Sequence, residues 1–223
     1  LLDLFDSEIW GIIGVTLRMS FASTLIALIL GTIFGLLLER ANFPGKRIIV
    51  RINRTLMGVP PVVMGLVVYL LFMRRGPFGA LDILFTLHAM ILAQILIITP
   101  IICGMVYSAA QRNADKIRSF GITMGADHIQ TQWLLIREMS NEIYFAAVAG
   151  FGRAISEVGA VMIVGGNIQG RTRTMTTAIA LLRGRGNYIE AIYLGIILLL
   201  LAFLIHLVAD FIRRKEQRTD ENY

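Results

Sequence analysis

The sequence predicts an all-α membrane protein with about five transmembrane helices in one domain, residues 1–223, on three observations. Hydrophobic residues make up 56% of the 223 and charged residues only 16%, where soluble domains sit near about 45–50% and about 25%. The apolar excess is gathered into runs of roughly the ~20 residues a bilayer requires, at about 19–38, 55–73, 84–110, 143–166 and 189–210. The Lys and Arg side chains are unevenly shared among the connections. Arg40, Lys46, Arg47, Arg51 and Arg54 follow the first run, Arg112, Lys116, Arg118 and Arg137 the third, and Arg213, Arg214, Lys215 and Arg218 lie in the tail. These 13 stand against 6 in the alternate loops (Arg74, Arg75, Arg171, Arg173, Arg183 and Arg185), with Arg18 and Arg153 at or within runs. The positive-inside rule then puts the N-terminus outside and the C-terminus inside, as an odd number of spans requires.

Ahead of the first run, Leu1, Leu4, Phe5, Ile9, Ile12 and Ile13 recur at helical spacing. They predict a short helix in the outer interface or an extension of span 1. The start, with three acidic residues and no positive region, does not have the form of a cleavable signal. Asn42-Phe43-Pro44-Gly45 reads as a turn, and Lys46–Arg54 mixes basic and apolar residues in a way that suits the inner headgroup layer. Span 2 opens on Gly58-Val59-Pro60-Pro61. Proline removes a backbone donor and disfavours helix in the residue before it, so Pro60 and Pro61 either start a helix or mark a pore-lining break or gate. Pro100 should kink span 3 near its middle.

Span 4 carries a charged pair deep in an apolar run. Arg153, Ser156, Glu157 and Ala160 fall at i, i+3, i+4 and i+7 and so share one helical face. A charge inside a bilayer costs at least about 2.5–3.5 kcal/mol, which pairing offsets in part. The pair is either a structural lock to neighbouring spans or a face turned to a translocation route or to the seam between two subunits. After Asn167 the outer loop alternates Arg171, Thr172, Arg173 and Thr174. These are cationic and hydroxyl donors of a kind that suits an oxyanion, though a solvated loop or a docking surface would have the same composition.

Between spans 3 and 4 lies a polar segment, 111–141, far longer than a crossing needs. It holds the spacing Gly121-x3-Gly125-Ala126-Asp127 and the apolar run Trp133 to Ile136. Such a loop suits contact with a partner in the cytoplasm, or an amphipathic helix lying on the inner surface.

Several chemistries are excluded. The chain lacks the Gly-x4-Gly-Lys-Ser/Thr phosphate loop, so it does not hydrolyse ATP by that route. Cys103 has no second cysteine to pair with. His88, His128 and His206 are far apart and lack metal-ligand spacing, so no metal site is expected. The net charge of +6 is explained by its loop placement rather than by nucleic acid.

Taken together, these segments resemble the membrane-spanning permeases of bacterial ATP-binding-cassette importers. The family's loop signature, Glu-Ala-Ala-x3-Gly-x9-Ile-x-Leu-Pro, would set its glycine on Gly125. Ser119, Phe120 and Gly121 stand where Glu-Ala-Ala is expected, and Leu135, Arg137 and Glu138 replace Ile, Leu and Pro. Thr16–Ser20, Phe151–Ala160, Val164–Asn167, Thr172–Ile179, Arg75–Gly79 and Ala89–Gln94 look like the tungstate and molybdate branch, with sulfate or another small solute as alternatives. The resemblance implies a subunit without catalysis or cofactor of its own in the plasma (inner) membrane of a bacterium or archaeon. It implies a second copy of the chain, two cytoplasmic ATPases that bind ATP and Mg, and an external oxyanion-binding protein. It also implies that Ser119–Gln132 is a coupling helix seated on the ATPase. There Phe120, Met124 and Trp133 would be anchors, Gly125 would allow a turn or a close approach, and Gly121, Ala126 and Asp127 would lie alongside. Pro60, Pro61, Arg153, Ser156 and Glu157 would belong to the path or gate. A gradient-driven transporter using Glu157 as a relay is the competing class, which would usually show an internal repeat.

Overall fold

The structure, a computed structural model, describes the backbone of residues 2–220 and the side chains of residues 8–127 and 129–211. Leu1, the side chains of Leu4, Phe5 and His128, and those of the tail cations Arg213, Arg214, Lys215 and Arg218 lie outside that description. Nine α-helices are seen among the described residues: α1 (Leu2–Arg40), α2 (Lys46–Met57), α3 (Pro61–Phe72), α4 (Leu87–Thr123), α5 (His128–Glu138), α6 (Ser140–Ile155), α7 (Gly159–Gly165), α8 (Met175–Gly184) and α9 (Tyr188–Asp220). A short 3-10 turn spans Gly79–Leu81. Residues 8–40 of α1, α4 and Tyr188–Phe211 of α9 are long and apolar enough to cross a membrane; the crossings number up to five if the bent pairs α2/α3 and α6/α7 each count as one.

The first helix is a single rod, with no separate segment before residue 19. Nothing between Leu2 and Arg40 interrupts a helix: there is no proline. Two of its hydroxyls bond back along the axis, Thr16 Oγ1 donating to Ile12 O at 2.8 Å and Ser23 Oγ to Met19 O at 2.7 Å, as hydroxyls do in a helix interior. This rod packs along α4. A Cβ on Gly31 would sit 2.8 Å from Ile102 Cβ, and one on Gly35 would sit 3.0 Å from Val106 Cβ. The two contacts advance together along both chains, so the helices run parallel, with small residues at i and i+4 letting the backbones close.

Buried around this seam are Ala27, Ile98, Ile102, Val106, Ala110 and Leu135. A second cluster, nearer the start of α4, joins Met19, Val68, Met90, Ala93, Val161 and Val164. Ile12, Met175, Ala178 and Leu194 tie α1 to α8 and α9.

Three expected elements change shape. The run 55–73 is not one span: α2 and α3 meet at 103°. Pro60 takes a non-helical conformation and Pro61 is the first helical residue of α3, where a missing N–H costs nothing. Of the two readings of this diproline, helix initiation describes its local structure. Span 3 is longer than expected. Its helix carries on through Pro100 and ends only at Thr123. At 1.5 Å per residue it is about 55 Å long, well beyond a hydrocarbon core of about 30 Å. Segment 111–141 is therefore divided among the end of α4, a corner, α5 and the start of α6, and Ser119–Gln132 is not one rod. Span 4 is broken in turn, with α6 and α7 meeting at 59°.

Candidate functional site: a helix corner and a broken span

The corner between α4 and α5 is built from its own sequence neighbours. Gly125 lies at φ +74°, a left-handed conformation that costs glycine little. Its N–H donates to Ile122 O at 3.0 Å and that of Ala126 to Gly121 O at 2.9 Å, the bond pair of a Schellman ending. A Cβ on Gly125 would meet nothing of this chain within 4 Å, so within the chain this glycine serves the turn. Asp127 then opens α5 with a capping box: its Oδ1 accepts from Gln130 N at 2.7 Å while its own N–H donates to Gln130 Oε1 at 2.9 Å. Gly121 is buried, and a Cβ there would lie 2.8 Å from Thr131 Oγ1, so the two helices close tightly at this point. Ser119 Oγ donates to Asp115 O and shapes α4 only.

Around this frame the apolar side chains sort into two sets. Thr131, Leu135 and Met139, spaced at i, i+4 and i+8, are buried, and Leu135 and Met139 join the α4 core. Phe120, Ile122, Met124, Ile129 and Trp133 are exposed, Ile129 at 80% and Trp133 at 68%. Phe120, Met124 and Trp133 are residues for which the resemblance implies an anchoring role, and they are exposed here. Ile122 and Ile129 were not anticipated, although Ile129 and Trp133 share the i, i+4 spacing of one face. Arg118 steadies the end of α4 through an ion pair with Glu39, its Nη1 2.9 Å from Oε1.

At the break in span 4, α6 stops at Ile155 and α7 starts at Gly159. Arg153, Ser156, Glu157 and Ala160 therefore do not share one continuous face, since the axis turns between them. The ion pair itself forms across the break, Arg153 Nη1 to Glu157 Oε2 at 2.9 Å. The other carboxylate oxygen accepts from Ala160 N at 3.0 Å, capping the first turn of α7, and the Glu157 carbonyl accepts from Thr176 Oγ1 at 2.8 Å. Glu157 is 4% exposed; the Arg153 side chain keeps about a third of its surface, at 32%. Ser156 is exposed and donates back to Gly152 O. Helix α3 presses on the same place: a Cβ on Gly65 would fall 2.6 Å from Ala160 Cα, and one on Gly159 2.5 Å from Val62 Cγ2. The bend thus joins α3, α6, α7 and α8. Its signal in sequence is Ser156-Glu157-Val158-Gly159, a polar acceptor followed by a residue with no side chain.

The outer loop turns its threonines inward. Gly166 and Asn167 take left-handed φ of 71° and 51°. Thr172 Oγ1 donates to Gly165 O at 2.6 Å and accepts from Ile168 N at 2.9 Å. Thr174 caps α8 in a reciprocal box with Thr177, and Met175 N donates to Thr16 Oγ1 of α1 at 2.9 Å. Arg173 pairs with Glu8 at 2.9 Å, whereas Arg171 is exposed. Two of the expected oxyanion donors, Thr172 and Thr174, are buried in holding the loop itself, and the role of Thr16, Thr176 and Thr177 in fastening it was not legible beforehand.

Comparison with known proteins accords with this architecture. Residues 12–218 match the family described as binding-protein-dependent transport system inner membrane component. The tungstate uptake system permease protein TupB of Peptoclostridium acidaminophilum is 43% identical over 93% of this chain and 91% of its own. TupB of Campylobacter jejuni is 34% identical over 94% and 87%. The sulfate transport system permease protein CysW of Escherichia coli is more distant, at 25% over 98% and 79%. With a family match over most of its length, this chain belongs to the multi-pass inner-membrane components of binding-protein-dependent transport systems, the subunits that work with an ABC ATPase and a binding protein.

Proposed function

We propose that the chain is the permease of a tungstate importer, with molybdate as a second substrate, and that the α4/α5 corner is where the ATPase drives it. The observation that carries the coupling role is the exposed set Phe120, Ile122, Met124, Ile129 and Trp133 on a frame closed by its own hydrogen bonds. An apolar surface of this kind on a rigid helical corner fits the groove of a partner. Tungstate is favoured because permeases named for tungstate uptake are nearer relatives than a sulfate permease.

In this reading the chain crosses five times with its N-terminus outside and its C-terminus inside, and pairs with a second copy above two ATPases. ATP-driven closure of the ATPases moves the corners, and packed helices rock as rigid bodies. The Schellman turn and Leu135 transmit that motion into α4. Pro60 and Pro61 start α3, which bears on the α6/α7 break, so the gate lies where Arg153, Ser156 and Glu157 meet α3. Arg153, partly exposed beside a buried carboxylate, is the cation that steers an oxyanion in the path. At the outer loop, Arg171 meets the delivered anion or its binding protein, while Asn167, Thr172, Arg173 and Thr174 hold the loop in shape. A gradient-driven mechanism using Glu157 as a relay is disfavoured by the family and by the engagement of both carboxylate oxygens.

The test is ATP hydrolysis by the reconstituted importer in the presence of its binding protein. Tungstate should accelerate it, molybdate less so, and sulfate not at all. Equal stimulation by sulfate would overturn the substrate assignment, and uptake by the permease without nucleotide or partners would overturn the coupling.

A further inference from the structure

We propose that the cleft between α1, α8 and α9 is a binding site for a zwitterionic phospholipid whose headgroup ends in a primary ammonium, the chemistry of phosphatidylethanolamine. The cleft has a volume of about 270 Å³, and both charged and apolar side chains line it. Its walls are ordered along the helices. On α1, Glu8 comes before Ile9 and Ile12; on α9, Asn187 and Glu190 come before Leu194 and Ile197. Ile12 and Leu194 belong to one buried cluster, so the two helices set their polar residues at the same end of the cleft and their apolar residues at the other. Arg185, at the end of α8, completes the charged rim, with Leu181 and Leu182 one turn before it on the same wall.

The rim sets Arg173 and Arg185 against Glu8 and Glu190, so it carries both signs and no net charge. Arg173 Nη1 donates to Glu8 Oε1 at 2.9 Å, while its Nε–H is buried without an acceptor among the described residues. Arg185 makes no ion pair among those residues, and the Glu190 carboxylate accepts only from Asn187 Nδ2, at 3.4 Å. One open cation and one open carboxylate therefore stand at the mouth of an apolar recess. A phosphodiester suits Arg185 and the Arg173 Nε–H, as charge-assisted bonds to arginine do. A primary ammonium suits Glu190, and the start of an acyl chain suits the recess. A quaternary ammonium offers that carboxylate no N–H, and a headgroup of net negative charge leaves it uncompensated.

The surroundings favour a lipid over a soluble partner or a second copy. Trp10, Tyr188 and Tyr193 are exposed at this end of α1 and α9, and such rings sit at the headgroup level of a membrane. Helix α9 is the least buried of the three long apolar helices, so one wall of the cleft is a helix whose outer side meets the bilayer. A recess of this size, near the lower limit for small-molecule pockets, admits a headgroup and the first carbons of a chain but not a helix about 10 Å across. In the topology proposed above the rim lies in the outer leaflet. The consequence lies in α8. Ala178 lines the cleft, and Thr176, two residues earlier, holds the Glu157 carbonyl, so a seated lipid bears on the α6/α7 break. This inference rests on the membrane reading of the chain and not on its substrate.

Native mass spectrometry of the importer complex, released from nanodiscs holding equal parts of phosphatidylethanolamine, phosphatidylcholine and phosphatidylglycerol, tests it. The wild-type complex should retain phosphatidylethanolamine about fivefold over either of the others, the upper end of what a partly exposed ion pair contributes. Glu190→Gln should erase the preference over phosphatidylcholine, and Glu190→Asp should keep part of it. Arg185→Gln should lower retention of phosphatidylethanolamine by about the same factor, and Arg185→Lys should restore most of it. Leu181→Trp, which fills the recess and leaves the rim, should displace lipids of every headgroup. Equal retention of the three lipids, or a preference that survives Glu190→Gln, would overturn the proposal. So would lipid retention unchanged in Arg185→Gln while the external binding protein is captured less well, which would assign the cleft to that protein. A disulfide between copies through Leu181→Cys in a Cys103→Ser background would assign it to the second subunit and overturn the proposal too. None of these outcomes depends on the transported anion, on nucleotide or on the α4/α5 corner.

Discussion

The α4/α5 corner and the α6/α7 break are both interruptions of a helix, and they are built in opposite ways. At the corner every described bond that shapes the turn joins residues a few positions apart, from Phe120 to Thr131. Its large apolar side chains face outward. At the break the polar groups face inward, and the partners come from far along the chain: Thr176 on the Glu157 carbonyl, Gly65 against Ala160, Val62 against Gly159. A corner held by its neighbours keeps its shape while another molecule pulls on it. A bend held by four elements changes when any one of them moves. The first arrangement suits receiving force, and the second suits responding to it.

The sharpest way to break this comparison is to remove the carboxylate at the break. Glu157→Ala deletes the cap of α7 and leaves Arg153 without its partner. Breaking a buried pair in this manner costs about 3–5 kcal/mol, toward the lower end here because Arg153 keeps some solvent contact. The purified complex should lose thermal stability by several degrees or fail to assemble. Glu157→Gln keeps an acceptor for Ala160 N and should lose less. A smaller effect is expected from Gly65→Val, which drives side-chain atoms into the backbone of α7. Overpacking of this kind costs about 1–3 kcal/mol. The same substitution at Gly152, where a Cβ would meet nothing within 4 Å, is the control. Equal melting midpoints for the two glycine variants would show that α3 does not bear on the break.

How far each region was legible follows from the same contrast. The corner was announced by Gly125-Ala126-Asp127, because a left-handed turn and a helix cap each require particular residue types at particular places. Phe120, Met124 and Trp133 drew notice because large apolar residues stand out in a polar segment, and all three are exposed. Its shape was misread as one rod, since helical propensity on both sides of Gly125 hides the angle between them. The break was not legible as a break. Hydropathy registers an apolar run over 143–166 whether or not the axis bends, and Arg153 and Glu157 at i and i+4 fit a continuous helix as well as a bent one, so the signal in Ser156-Glu157-Val158-Gly159 is plain only once the bend is seen. The same holds for Thr172 and Thr174, whose alternation with arginine was visible while its inward direction was not. Gly31 and Gly35 show their purpose only once α4 is laid beside them.

Gly125 sharpens the comparison from the other side. Gly125→Val meets no steric obstacle, so its cost is conformational, about 1–2 kcal/mol for a branched residue held in the left-handed region. Relief of that strain re-aims α5 relative to α4. The melting midpoint should fall by a few degrees at most, while the anion taken up per ATP hydrolysed should fall severalfold. A variant that loses stability and keeps its stoichiometry would mean that the angle of the corner does not matter to coupling.

The smallest change in stability belongs to the outward face of α5, and it separates the two roles of a single helix. Ile129 and Trp133 touch little within the chain, so Ile129→Ser with Trp133→Ser should alter its stability by no more than about 0.5 kcal/mol for each site. Leu135 lies six residues after Ile129 with no exposed surface, and Leu135→Ala there should cost about 2–5 kcal/mol. Binding should rank the two differently. Exposed aromatic anchors are the residues whose loss weakens an interface by more than about 1 kcal/mol, so the serine pair should abolish co-purification of the ATPase from gentle detergent while the permease elutes unchanged. Retention of the ATPase by that pair, at wild-type ratio, would mean that the apolar patch is turned to the lipid surface and that force enters the bundle elsewhere.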